Sequence, residues 1–408
     1  MFAKDTAMIR QLCGLNAQDV RQELNEIGVD QFERQAHSRS FQHDIVIKIS
    51  GYETDGLRRI ADRLTQNAGA KIYTNWEIAV SPGIIACFGP EEIFRLKSAP
   101  IDWRDAVGQF YPALTTFIEN IERDAWEYQI PGGTLKIDRP LVMGILNVTP
   151  DSFSDGGTFF DPESGYRRAM EMLENGADII DIGGESTRPG AAGVSVDEEW
   201  ERVGAIIGRL AKTPGCVISV DTYKSEVARR AMNAGAHIIN DISGATFDPA
   251  IADVAAKFNA PLVLMHIRGK PRTMQKNPVY GNLMEDIYLK LARQCDLVKA
   301  RGVSQIIVDP GIGFGKKLTD NFEILRRLKE FRALGFPVLL GASRKSFIGK
   351  VLDVSVEERL AGTIASNLYG VYAGANILRV HDVREIHQCM QILQAIRTQK
   401  TAATLVKW

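Results

Sequence analysis

In the last two-thirds of the chain, eight short apolar runs each end on, or just before, a side chain that could do chemistry. They are Asn147, Asp181, Asp221, Asn240 with Asp241, His266, Asp309, Lys345, and Arg379 with His381. Carboxylates, amides and cations dominate this set. The five cysteines (Cys13, Cys87, Cys216, Cys295 and Cys389) lack CxxC or mixed Cys/His spacing and the six histidines are dispersed, so neither a disulfide framework nor a zinc site is expected. Any metal would be a hard ion held by oxygen ligands and substrate phosphates, for which Mg²⁺ is the natural candidate. Taken singly, each residue reads equally well as a loop cap or a surface charge. Eight run ends agreeing point to one shared site.

The elements that must position these groups are legible as alternation. From about residue 137, apolar runs alternate with helical segments, the pattern of parallel strands joined through helices. The runs are LVMGILNVT (141–149), ADIIDIGG (177–184), VISVDT (217–222), HIINDI (237–242), PLVLMH (261–266), QIIVDP (305–310), PVLLGA (337–342) and ANILRV (375–380). Each is nearly continuously apolar, as a strand buried on both faces must be. Amphipathic stretches lie between them, such as 225–236, 321–335 and 383–399. Several close on a glycine (Gly176, Gly235, Gly302, Gly335, Gly374) suited to a helix C-terminus. Eight such units predict an α/β fold, a TIM (β/α)8 barrel over residues 136–408, with the reacting groups at the C-terminal ends of its strands.

Residues 1–135 follow no such rhythm and lean acidic. An alternating strand (43–50), an amphipathic helix (53–69), strand-like runs around 70–78 and 83–88, and a helix near Pro112–Trp126 predict a smaller α+β domain there. Pro131-Gly132-Gly133 reads as a linker or as a capping hairpin under the barrel. With 45% hydrophobic and 24% charged residues the chain has the balance of a globular protein. Its 49 basic and 50 acidic residues give a net charge of −1, which offers no electrostatic footprint for nucleic acid or an anionic membrane. No window approaches twenty apolar residues and the N-terminus lacks the features of a signal peptide, so a cytoplasmic protein is expected.

Two loops beyond the first two strands, NVTPDSFSDGGTFF (147–160) and GGESTRPGAAG (183–193), are long and rich in Gly, Pro and hydroxyls, and read as covers over a ligand. Seven blocks, LVMGILNVTPDSFSDGG, DIIDIGGESTRPG, ISVDTYK, IINDISG, VDPGIGFGK, GASRKSFIG and LRVHDV, resemble the signature blocks of the dihydropteroate synthases, in family order. The resemblance covers roughly 137–400. It implies a sulfonamide-target enzyme that joins 6-hydroxymethyl-7,8-dihydropterin diphosphate to 4-aminobenzoate in folate biosynthesis, works with Mg²⁺ and pairs as a homodimer.

The same resemblance assigns roles. The pterin falls to Asp221, Asn240, Asp309 and Lys345, with Met265 and Phe314 on its faces. Pyrophosphate falls to Asn147, Arg379 and His381, with Asn147 also on the metal and Asp181 supporting that shell or a loop hinge. Aminobenzoate falls to Phe153, Thr187, Arg188, Pro189 and Ser346. Physically, an ionised carboxylate such as Asp309 suits paired pterin N–H groups. Cations and a metal suit a departing pyrophosphate. No general base is needed, because an aniline nitrogen is neutral and can lose its proton after attack.

Three other features carry blander readings. GIGFGK (311–316) fits no nucleotide-loop pattern and reads as a backbone turn presenting Phe314. The basic residues of GKPRTMQ (269–275) read as a solvated loop. His43, His237 and His387 read as structural, and Trp103 and Trp126 as core or interface aromatics. The rivals are a pterin-binding methyltransferase, which would not need NVTPDSF or SRKS, and a pterin-binding protein without catalysis, in which Asn147, Arg379 or His381 would be lost. A fused kinase or aldolase in the N-terminal part has no supporting signature.

Overall fold

The computed structural model describes residues 8–12, 45–50, 54–68, 71–73, 83–88, 110–148, 162–186 and 193–398. In chain order the elements begin with β1 (Met8–Leu12), β2 (Ile45–Ser50), α1 (Thr54–Arg63), β3 (Lys71–Tyr73), β4 (Gly83–Phe88) and α2 (Phe110–Glu122). A hairpin follows, β5 (Trp126–Ile130) and β6 (Gly133–Ile137). Then come β7 (Leu141–Asn147), α3 (Pro162–Glu174), β8 (Ile179–Gly183), α4 (Val196–Leu210), β9 (Val217–Asp221), α5 (Ser225–Asn233), β10 (Ile238–Asp241) and α6 (Ile251–Phe258). The chain continues through β11 (Leu262–Met265), α7 (Leu283–Ala300), β12 (Ile306–Asp309), α8 (Leu318–Arg326), β13 (Leu339–Leu340), α9 (Ser346–Leu352), α10 (Leu360–Tyr372), β14 (Ile377–Val380) and α11 (Val383–Thr398).

Strands β7 to β14 form one parallel eight-stranded sheet in the order β12-β11-β10-β9-β8-β7-β14-β13. The seam closes through a parallel bridge between Val308 and Val338, where the Val308 N–H donates to the Pro337 carbonyl at 3.0 Å. The expected barrel is therefore present. Its strands are apolar because the helices cover one face and the barrel interior the other, so β8, β10, β11 and β12 are buried at every position. All five glycines expected to end helices have positive φ, from 84° at Gly335 to 105° at Gly235.

Contacts divide the chain into two units, one of Met1–Arg123 with Arg326–Gly335, the other of Asp124–Leu325 with Phe336–Trp408. The expected boundary near residue 135 falls inside the β5–β6 hairpin, which packs with the barrel. The reason is burial: Trp126, Tyr128, Leu135 and Ile137 join Leu141, Ile179, Ile238 and Ile307 in one apolar cluster at the N-terminal ends of the strands. The Tyr128 hydroxyl donates to the Ile306 carbonyl at 2.6 Å, and Gln305 Nε2 donates to the Gln129 carbonyl at 2.9 Å. Of the two readings of Pro-Gly-Gly, the capping hairpin holds. Correspondingly, the helix expected over Pro112–Trp126 stops at Glu122, and Trp126 opens a strand.

In the first unit an antiparallel sheet has the order β1-β2-β4-β3. Strand β1, MIRQL, gives no alternating apolar signal because its central residue is an arginine. Arg10 is nonetheless fully buried, and its Nη1 donates to Glu330 Oε2 at 3.0 Å. Arg327 Nε donates to Glu330 Oε1 at 2.6 Å, so two guanidinium groups share one buried carboxylate. The stretch 321–335, expected as one helix, breaks after α8 into a 3-10 helix, Leu328–Leu334, that carries Glu330 into this unit.

The hairpin sits at the opposite end of the strands from their polar ends, which separates stability from chemistry. Trp126→Ala should lower unfolding free energy by about 3–5 kcal/mol, the usual result of emptying a large aromatic site. Turnover per folded molecule should stay unchanged. Urea titration beside initial rates checks both, and a variant of unaltered stability would show that Trp126 does not seal the floor.

Candidate active site

Register places the polar residues side by side around the mouth. Asn147 lies opposite Gly183, Gly183 opposite Asp221, Asp221 opposite Asn240, and Met265 opposite Asp309. The centre of charge is Arg379 on β14. Its Nε donates to Asp181 Oδ2 and its Nη2 to Asp221 Oδ2, each at 2.6 Å, and Asn240 Nδ2 donates to the same Asp181 oxygen at 3.0 Å. Burial opposes the Arg379 charge, but Asp181 and Asp221 outweigh it and hold the guanidinium protonated. Burial pushes Asp221 up to about 7 against the pull of Arg379, with Asp181, Glu199 and Asp241 adding repulsion.

Asp309, at the end of β12, is 5% exposed and accepts the Gly311 N–H on Oδ1 at 2.7 Å. Burial raises its pKa, while that N–H and the charges of Lys345, Lys316 and Arg379 draw it down. The GIGFGK stretch is a backbone turn with Gly311, Gly313 and Gly315 all at positive φ. A Cβ at Gly311 would lie 2.0 Å from the His266 carbonyl oxygen, so only glycine fits there. The turn delivers Phe314 beside Met265, Ile242 and Met274 in an apolar wall. Lys345 Nζ stands over the Phe314 ring, 4.2 Å from its centroid, and burial lowers its pKa to about 8.

The loops after β13 and β14 hold each other. Ser343 Oγ accepts the His381 N–H at 3.2 Å and meets His381 Nδ1 at 3.1 Å, and burial beside Arg379 and Arg344 lowers His381 to about 4. This histidine is neutral near pH 7. Arg344 adopts a left-handed backbone (φ 54°), with its Nε donating to Asp382 Oδ2 at 3.0 Å and its carbonyl accepting from Arg359 Nη1 at 2.9 Å. That strained turn sets Lys345 and Ser346 at the start of α9. Ser343, Arg344 and Asp382 escape a reading that stops at polar run ends, although GASRKS and LRVHDV contain them.

A second group missed in that reading is Lys224, three residues past Asp221. Its Nζ donates to Glu185 Oε2 at 2.5 Å, to the Val194 carbonyl at 2.7 Å and to Glu199. Not every polar run end faces the mouth. Asp241 accepts the Ser243 and Ala245 N–H groups at 2.7 and 2.6 Å and so shapes its own loop. His266 meets Lys316, and His237 accepts the Ile218 N–H at 3.0 Å, a structural role. Phe153, Thr187, Arg188 and Pro189 lie outside the described residues, as do His43 and Trp103.

Among the described residues no cluster of three His, Cys, Asp or Glu side chains could hold a metal. At the end of β7, half-buried Asn147 offers a single neutral oxygen. That donor set suits Mg²⁺ only where substrate phosphates complete the shell.

The pterin binding enzyme family matches residues 143–381, which spans this whole mouth. The chain belongs to the dihydropteroate synthase family of pterin-binding enzymes. It is 51% identical to the dihydropteroate synthase of Synechocystis over 261 residues, 63% of this chain and 90% of that protein. To the Escherichia coli dihydropteroate synthase it is 44% identical over 271 residues, 66% of this chain and 96% of that one. Among solved structures, Yersinia pestis dihydropteroate synthase in complex with a sulfonamide drug superposes with a TM-score of 0.64 at 43% identity, covering 67% of this chain and all of that one. The Xanthomonas albilineans enzyme with 4-aminobenzoic acid gives 0.63 at 40% identity, covering 67% and 98%.

Arg379→Lys keeps the charge and loses the fork that spans two carboxylates. We expect kcat/KM to fall by about 100-fold or more, roughly 2.7 kcal/mol of transition-state stabilisation. Initial rates check this, and near-native rates would remove the fork from the active geometry.

Proposed function

We propose that this enzyme condenses 6-hydroxymethyl-7,8-dihydropterin diphosphate with 4-aminobenzoate, releasing pyrophosphate and 7,8-dihydropteroate. The Xanthomonas albilineans relative has been solved with 4-aminobenzoic acid and, separately, with 7,8-dihydropteroate, which supports that chemistry. The observation that carries the reading here is the meeting of a buried carboxylate, Asp309, with Lys345, Asp221 and Arg379 at one apolar-walled mouth. A flat, hydrogen-bonding cation-former and a polyanionic leaving group need just these two kinds of partner.

In this reading Asp309 accepts the pterin N–H groups, Asn240 and Lys345 complete its polar edge, and Met265 and Phe314 bound its faces. The methylene carbon–oxygen bond breaks and its electron pair leaves with pyrophosphate. Asp221, poised beside the ring, stabilises the positive charge that the pterin takes up. Arg379 faces the departing phosphates, with neutral His381 as a hydrogen-bond donor through the ring nitrogen that Ser343 leaves free. Asn147 would offer its amide oxygen to Mg²⁺ together with the diphosphate oxygens, and the bound ion would supply charge neutralisation at the leaving group. The amine lone pair then forms the new carbon–nitrogen bond, and the nitrogen releases its proton afterwards. Phe153, Thr187, Arg188, Pro189 and Ser346 are proposed for the aminobenzoate ring and carboxylate, by resemblance.

Residues 1–135 are assigned no catalytic group, since each side chain used above lies beyond residue 140. A cytoplasmic setting is supported by free thiols at Cys216, Cys295 and Cys389. No helix among the described residues is long and apolar enough to cross a membrane. A homodimer is supported by adjacent α10 and α11, which expose Tyr369, Tyr372 (82%), Ile392 and Ile396 (69%).

Purified protein with Mg²⁺ and both substrates should release pyrophosphate, and no release would refute the reaction. Asp221 serves as an anion and is lost as pH falls below about 7, while Lys345 serves as a cation and is lost as pH rises above about 8. A narrow bell in kcat/KM is expected, and in Lys345→Arg the alkaline limb should move out of range; a limb that stays put would detach it from Lys345. For assembly, equilibrium sedimentation should find a dimer that Tyr372→Glu with Ile396→Glu converts to monomer. A wild-type monomer at micromolar concentration would sink that proposal.

A further inference from the structure

The loop between β11 and α7 takes no part in the reaction scheme, yet it holds the turn that presents Phe314. Three successive carbonyls of that turn each accept from a side chain. Gly313 accepts from Gln275 Nε2 at 2.5 Å, Phe314 from Lys316 Nζ at 3.0 Å and Gly315 from the Tyr280 hydroxyl at 2.6 Å. The N–H groups are held as well: Gly311 donates to Asp309 Oδ1 and Gly313 to Asn321 Oδ1, each at 2.7 Å. With glycines at positive φ the turn has no helix or sheet ladder to join, so its peptide groups take their partners from side chains.

Gln275 and Tyr280 both belong to the β11–α7 loop, and the loop is built to hold them. The Thr273 and Met274 N–H groups donate to the Lys270 carbonyl at 2.8 and 2.7 Å, closing a turn just before Gln275. Met274 itself lies in the apolar wall with Phe314. The half-buried Tyr280 ring packs beside Arg268, whose guanidinium carbon is 4.6 Å from the ring centroid, and beside the His266 ring at 6.1 Å between centroids. Burial pushes the Tyr280 hydroxyl pKa up, so it stays a donor near neutral pH. Loop and turn approach closely: a Cβ at Gly315 would come within 2.5 Å of the Arg268 carbonyl oxygen.

We propose that Tyr280 and Gln275 are positioning residues for pterin recognition, bonding the carbonyls on either side of Phe314 so that its ring is held as one face of the pterin pocket. The inference rests on the reading of Phe314 as that face. Neither residue is assigned a contact with substrate. The need for them follows from the sequence Gly313-Phe314-Gly315: glycine restricts its own dihedral angles so little that the ring between two of them has no fixed direction unless outside bonds supply one. The Gly313 carbonyl belongs to the peptide that enters Phe314, and the Gly315 carbonyl to the peptide one residue beyond it. Bonds to both therefore stop rotation on each side of the ring.

The test is calorimetric titration of the full-length chain with 6-hydroxymethylpterin, which carries no leaving group. Tyr280→Phe keeps the ring and removes the donor, and affinity should fall by about fivefold, the size of one neutral hydrogen bond. Gln275→Glu, at an exposed position, sets an acceptor against the Gly313 carbonyl and should cost a similar factor. The KM for aminobenzoate should change less than about twofold, because the effect is confined to the pterin side. A double-mutant cycle with Phe314→Leu, which removes the aromatic face, then separates positioning from packing. If the two residues act through the ring, either exchange should alter affinity by less than about 1.5-fold once the ring is gone. Unaltered affinity in both single variants, a larger rise in that KM, or an equal loss with and without the ring overturns the proposal, since loosened packing is felt in either background. If Tyr280→Phe does not fold, Gln275→Glu carries the cycle alone. A wild type that fails to bind 6-hydroxymethylpterin, or a Phe314→Leu variant that binds it as tightly as the wild type, would instead refute the reading of Phe314. Normal wild-type binding, weakened by Phe314→Leu and untouched by the other two exchanges, refutes only the role of Tyr280 and Gln275.

Discussion

Burying a guanidinium at the mouth of an apolar barrel is the constraint on which the rest of this site depends. Arg379 is tolerable there only because Asp181 and Asp221 stand within hydrogen-bonding distance on two other strands. The fork therefore braces β14 against β8 and β9 across the barrel and sets the direction in which Asp221 and Asn240 face. It also leaves the mouth with carboxylates and cations close to balance, where the addition of a polyanion or a developing cation shifts the field strongly. Asp221 near 7 and Lys345 near 8 are consequences of the same burial, not separate adaptations.

The two ends of the strands divide the work. At the N-terminal end the β5–β6 hairpin fills the floor with Trp126 and Tyr128, so the barrel interior is packed without help from the mouth. At the C-terminal end the strands are short: β13 contributes only Leu339 and Leu340. The chain is thereby released early into the Ser343–Ser346 turn. Holding Arg344 at positive φ is unfavourable for a side chain with a Cβ. The ion pair with Asp382 and the bond from Arg359 offset that strain and place Lys345 over Phe314.

Charge on this protein is handled as layers. At the strand ends and in the loop after β13 stand Asp309, Lys345, Asp221 and Arg379. Beyond them lie groups bonded to one another, namely Lys316 with His266, and Lys224 with Glu185 and Glu199. The low dielectric that makes an unpaired inner group costly also makes an outer counter-charge effective over a longer distance than water would allow.

Much of the barrel was legible in the amino-acid order, because a strand covered on both faces must be apolar throughout and a parallel strand must be followed by a helix. The polar residue that ends each run was legible for the same reason: it has no place inside the apolar layers. Which of those residues meet, and which serve the backbone, was not. Asn240 and Asp241 are neighbours of similar character, yet one bonds Asp181 and the other caps its own loop, since successive strand residues face opposite sides. The partners of Arg379 lie 198 and 158 residues away in the chain, and Glu330, which accepts from Arg10, lies 320 away. Composition and spacing carry no information about such pairings. For the barrel's polar strand ends, only the closed sheet, by bringing them to one mouth, decides which charge neutralises which.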